Sequence, residues 1–142
     1  MEEQLITFKT AKLAKEKGFD IEESCVAFYT KPRSKMFGID EHGRYYNIKN
    51  TPRKLYYIGK SAAFNSNNVI LAPTQSLLQK WLREVHNIRL EIQSLIDYTY
   101  AYSIYQELQD NKYCKQIAFE YTEQYSYENA LEIGLKHALK LI

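Results

Sequence analysis

Cysteine is scarce in this chain of 142 residues: Cys25 and Cys114 are the only two. They stand too far apart, and outside any Cys-x-x-Cys pair, to form a disulfide framework. Both fall in strand-like stretches, which predicts reduced, buried thiols in a cytoplasmic protein. Three prolines and five glycines leave no room for long disordered linkers. The three histidines, His42, His86 and His137, are widely separated and show no His-x-x-x-His spacing, so neither a metal nor a cofactor is expected. Gly59-Lys60-Ser61 lacks the upstream glycine of a phosphate loop. No stretch approaches the roughly 18 to 20 apolar residues of a membrane span, and Met1-Glu2-Glu3-Gln4 opens the chain without an apolar run of signal length. The protein is therefore expected to act in the compartment where it is made, away from the membrane.

What is present suits one globular core. The length fits a single domain over 1–142, and the 45% hydrophobic and 25% charged fractions are ordinary for such a domain. The unusual count is thirteen tyrosines. Each combines a large apolar body with a polar tip, which serves half-buried sheet faces and binding surfaces alike.

A first helix is predicted over 7–17, with Thr7 as N-cap, a shallow apolar face of Phe8, Ala11, Leu13 and Ala14, and Gly18 to end it. Residues 25–30 are β-branched and aromatic enough for a strand, stopped by Lys31-Pro32. From 31 to 68 the pattern weakens into an irregular basic segment, with short strands at 45–48 and 55–58. Leu77, Leu78, Trp81, Leu82 and Val85 then lie on one helical face, and Asn87 is placed to close that helix in a left-handed conformation. Alternation over 88–93, 98–105 and 113–121 predicts a three-stranded antiparallel meander, turned at 109–112. Within it Tyr98, Tyr100, Tyr102 and Ile104 share one face. Ser126 caps a last helix whose stripe is Leu131, Leu135, Ala138, Leu139 and Ile142, with Gly134 allowing close approach to a neighbour. Strands in runs between helices indicate an α+β fold, an antiparallel sheet of about five strands packed by three helices in the order α-β-β(β)-α-β-β-β-α.

Three of these blocks, FKTAKLAKEKGF at 8–19, APTQSLLQKWLREVHNI at 72–88 and YENALEIGLKHALKLI at 127–142, cover about a third of the chain. In this order they resemble short uncharacterised proteins of Bacteroidales bacteriophages, including crAss-like phages, and of mobile elements. The resemblance brings no activity with it. It implies a phage or prophage protein working in the cytoplasm of a bacterial host or carried in a virion.

Catalytic spacing is missing. Glu2-Glu3, Glu22-Glu23 and Asp40-Glu41 are adjacent, so on a helix they diverge by about 100° and on a strand they point to opposite faces. A group assembled only in space, such as Cys25 or Cys114 with His86 or His137, stays open, although His86 at a helix end and His137 opposite the leucine stripe read as structural. The expected protein is not an enzyme.

Charge placement is the one strong asymmetry. Lys31, Arg33, Lys35, Arg44, Lys49, Arg53, Lys54 and Lys60 against Asp40 and Glu41 give residues 31–60 a net 8 − 2 = +6, which leaves −4 for the rest of a +2 chain. Tyr45, Tyr46, Tyr56 and Tyr57 are interleaved with those bases. Cations for phosphates and aromatic faces for bases make this segment a candidate nucleic-acid surface. Residues 88–142 hold five bases and eight acids, 5 − 8 = −3, and would repel phosphate. The tyrosine surplus points instead to a protein interface, with Tyr98, Tyr100 and Tyr102 as its candidates and a host protein, a phage protein or a second copy as the partner.

Overall fold

The computed structural model describes residues 3–20, 27–30, 35–39, 45–47, 69–108 and 113–142. They build three helices and seven strands in the order α1 (Phe8–Glu16), β1 (Ala27–Thr30), β2 (Lys35–Ile39), β3 (Tyr45–Asn47), β4 (Val69–Leu71), α2 (Gln75–His86), β5 (Ile88–Ser94), β6 (Tyr100–Glu107), β7 (Cys114–Thr122) and α3 (Tyr127–Leu141). The α+β class is as expected. The strands do not share one sheet, however: four pair in the order β3-β2-β1-β4 and three in the order β5-β6-β7. The predicted strand at 55–58 and the turn at 109–112 lie outside the described residues. The chain forms two compact units, Leu5–Thr74 and Met1–Gln4 with Gln75–Ile142.

In the unit of Leu5–Thr74, the Thr7 side chain accepts from the Thr10 amide and starts α1, while Gly18, at φ +87°, follows its end. The helix buries only Thr10, Ala11 and Ala14, side chains small enough for shallow packing. Ile6 and Ile70 are fully buried, and Tyr29 donates its hydroxyl to the Ile6 carbonyl at 2.8 Å. Phe8 meets the Tyr29 ring edge-on at 5.3 Å. β1 pairs antiparallel with β2, Phe28 opposite Phe37, and with β4, Phe28 opposite Leu71.

In the other unit, α2 and α3 lie on the meander β5-β6-β7. α2 buries Gln75, Leu78, Trp81 and Leu82, and each large apolar side chain removed from water contributes about 1.5 to 3 kcal/mol. Val85, expected on that buried face, is 58% exposed, because the helix ends one residue later and the chain turns away into β5. Asn87 makes that turn at φ 55°. α3 carries the Ser126 cap and buries Ala130, Leu131, Gly134, Leu135, Ala138 and Leu139. Gly134 sits where a Cβ would stand 2.8 Å from Leu90 Cδ1, so helix and sheet approach closely there.

Candidate functional site

Of the basic and aromatic positions singled out for nucleic acid, Lys35 opens β2, and Tyr45 and Tyr46 lie in β3 opposite Ile39 and Gly38. Lys31, Arg33, Arg44, Lys49, Arg53, Lys54, Lys60, Tyr56 and Tyr57 lie outside the described residues.

The three interface tyrosines are not brought together as one face. Tyr98 belongs to the β5–β6 turn, where Tyr98 N–H donates to the Leu95 carbonyl and Leu95 N–H to that of Thr99, and the residue is 84% exposed. Tyr100 begins β6, half-buried, its ring edge-on to Tyr127 at 6.2 Å. Tyr102 is 1% exposed and is a core residue rather than a docking surface. Alternation placed all three in one strand, but Asp97 starts a turn by accepting from the Thr99 amide (3.1 Å) and hydroxyl (2.6 Å).

Tyr102 anchors a polar cluster that no local sequence pattern announces. Its hydroxyl donates to Glu120 Oε2 at 2.8 Å and stands 2.9 Å from His137 Nδ1, while His137 Nδ1 lies 3.5 Å from Glu120 Oε1. Burial, then the hydrogen bond to Glu120 and its negative charge, push the phenol well above its ordinary value of 10.0. Tyr102 is thus a fixed proton donor, and the cluster satisfies a buried hydroxyl at the seam of α3 and the sheet. His137, read as facing away from the buried stripe, instead turns this ring nitrogen to the sheet.

β7 is the exposed element. It is nine residues long and, among the described residues, pairs only with β6. Ile104 faces Ala118 and Tyr105 faces Gln116, so Ile117 is the extra residue of a bulge. A shallow depression lies over Gln116, Ile117, Ala118 and Phe119. Phe119 and Tyr121 are 41% and 72% exposed, their rings edge-on at 4.9 Å. On the opposite edge, Gln79 of α2 donates its amide to the Leu90 carbonyl of β5 at 2.7 Å.

On the same face as Phe119 by alternation, Arg89 holds Glu107 through Nε (3.1 Å) and Nη2 (2.9 Å), approaches Glu91 at 3.7 Å, and donates to Cys114 Sγ at 3.2 Å. The Glu107 hydrogen bond leads in raising the Arg89 pKa. Cys114 is free and exposed, contrary to the buried thiol expected, because it opens an edge strand. Cys25 lies outside the described residues.

Among the described residues no three of His, Cys, Asp and Glu stand together as a metal group, and no helix is long and apolar enough to cross a membrane. Set against known protein families, curated proteins and solved structures, the chain matches none.

Proposed function

We propose that this chain is a non-enzymatic accessory protein of the kind phages and mobile elements encode, working in a bacterial cytoplasm or a virion by binding another protein or a second copy of itself through β7. One observation carries the reading: among the described residues the nine-residue β7 is an edge strand, with Phe119 and Tyr121 exposed along it. An edge strand presents amide and carbonyl groups to which an extended segment adds by main-chain hydrogen bonds, with side-chain contacts supplying selectivity. The resemblance of 8–19, 72–88 and 127–142 to phage proteins supports the setting.

Light scattering across a concentration series tests self-pairing, and Phe119→Lys with Tyr121→Lys tests its location. Association that rises with concentration and disappears in the double variant is the expected result. Unchanged association in that variant would remove β7 from the reading.

The net charge of +6 on residues 31–60 favours a second reading, nucleic-acid binding by that segment. Changing Arg33, Lys35, Arg53 and Lys54 together to Ser should abolish a gel shift seen at about 50 mM salt. An undiminished shift would exclude the segment.

A further inference from the structure

The main chain of β7 fixes which of its residues can pair outward. Leu108 N–H donates to the Tyr113 carbonyl and Glu107 N–H to the Asn87 carbonyl, so successive β6 residues turn their backbone groups alternately to β7 and to β5. Glu107, Tyr105, Ser103 and Ala101 turn theirs to β5, and the residues opposite them, Cys114, Gln116, Phe119 and Tyr121, therefore turn theirs away from β6. The bulge at Ile117 shifts the phase, so that even-numbered residues face the edge before it and odd-numbered residues after it.

That phase selects one symmetric register. When two β7 strands run antiparallel, edge-facing groups meet edge-facing groups along the whole strand only with Cys114 opposite Tyr121 and Gln116 opposite Phe119 of the second copy, and the same pairs repeated across the two-fold axis. A shift by one residue sets edge-facing groups against inward-facing ones throughout, and a shift by two does so at the bulge. The selected register places Lys115 opposite Glu120 twice. Both lie on the face of the sheet that carries α3, since they stand opposite Gln106 and Tyr102 of β6 and the Tyr102 hydroxyl reaches His137. Among the described residues Lys115 has no ion-pair partner. The Glu120 side chain is 56% exposed and keeps acceptor positions beyond the one that the Tyr102 hydroxyl takes. On the other face Phe119, 41% exposed, becomes the diagonal neighbour of Phe119 in the second copy, about 7 to 8 Å away and within reach of a ring contact.

We infer that β7 pairs antiparallel with β7 of a second copy of this chain, with Lys115 of each copy opposite Glu120 of the other. The inference rests on β7 being the binding edge and adds its occupant and its register. A bulge and a lysine are features that keep an edge strand from pairing indiscriminately. The same strand running the other way accommodates both, because it brings a bulge to the same place and a carboxylate opposite each lysine.

Reversing one charge at a time tests the register. Lys115→Glu and Glu120→Lys, each made alone in the full chain and shown to be folded by circular dichroism, should dimerise about tenfold more weakly than the original protein, since each sets like charges opposite one another twice. Mixed in equal amounts, the two variants should form a heterodimer of close to the original affinity, measured by sedimentation velocity with one of them fluorescently labelled. Glu120→Gln keeps an acceptor for the Tyr102 hydroxyl and should weaken pairing less than Glu120→Lys. Folded single variants that weaken without rescuing each other would overturn the register. Undiminished pairing in both, with loss only in Phe119→Lys with Tyr121→Lys, would also overturn it while leaving β7 as the edge. Pairing unchanged in all of these variants would remove β7 itself, and a strict monomer at the highest concentration reached would overturn the second copy as occupant in favour of another protein.

Discussion

Gly134 of α3 lies against Leu90 of β5 with no space for a methyl group: a Cβ there would stand 2.8 Å from Leu90 Cδ1 and 3.3 Å from Cγ of the Tyr102 ring. Alanine would favour the helix by about 1 kcal/mol, but overpacking of a core costs about 1 to 3 kcal/mol. Leu90 is 3% exposed and Tyr102 1% exposed, so neither has open space to retreat into. Gly134→Ala should therefore destabilise this unit by about 1 kcal/mol in urea unfolding. Leu90→Val should cost less in the Gly134→Ala background than alone, and strictly additive changes would show that the two do not meet.

Tyr102→Phe tests the buried hydroxyl. At pH 8 the variant should lose about 1 kcal/mol, the worth of an ordinary internal hydrogen bond. The pH dependence is more telling. Folding raises the phenol above 10.0, so its contribution is whole below about pH 10 and is lost as pH rises beyond, when the unfolded chain ionises and the native chain does not. Between pH 8 and pH 11 the original protein should lose stability faster than Tyr102→Phe. Parallel losses would mean that Tyr102 ionises in the folded state as readily as in the unfolded one.

Asn87 and Tyr98 are the described non-glycine residues with positive φ, 55° and 65°. Asparagine adopts that conformation at little cost and tyrosine at a greater one. Asn87→Val should cost about 1 to 2 kcal/mol, measured by thermal melting, whereas Tyr98→Gly should raise stability by about 0.5 to 1 kcal/mol. A destabilised Tyr98→Gly would show that the exposed ring contributes to folding after all.

Ser126 accepts from the Asn129 amide at 3.3 Å and donates to Glu128. Ser126→Ala should cost about 1 kcal/mol, and Ser126→Asp should recover most of it by placing charge at the helix start. If Ser126→Ala matched the original protein in urea titrations, the cap would carry no weight.

Strong periodicity made much of this architecture legible. Leu78, Trp81 and Leu82 recur at helical spacing and are buried in α2, Ile88 and Leu90 alternate and are buried in β5, and the leucine stripe of α3 faces the sheet. Length defeated the reading of β2 and β4: five and three residues show little period, and their pairing comes from β1 and, for β2, from β3 as well. Tyr98 misled because its alternation with Tyr100 runs on through a turn that Asp97 and Thr99 had marked. Cys114 misled because exposure depends on strand order, which local residues do not encode. Tyr102 and His137 are 35 residues apart, and only packing of α3 on the meander introduces them.

The asymmetry between the two margins of the β5-β6-β7 sheet sets how far assembly would run. A subunit with two adhesive margins adds copies without end and gives a fibre, whereas one with a single margin is exhausted by its first symmetric pairing. With Gln79 occupying the Leu90 carbonyl on one side and β7, among the described residues, paired with β6 alone, assembly that used only the β7 margin would halt at two copies.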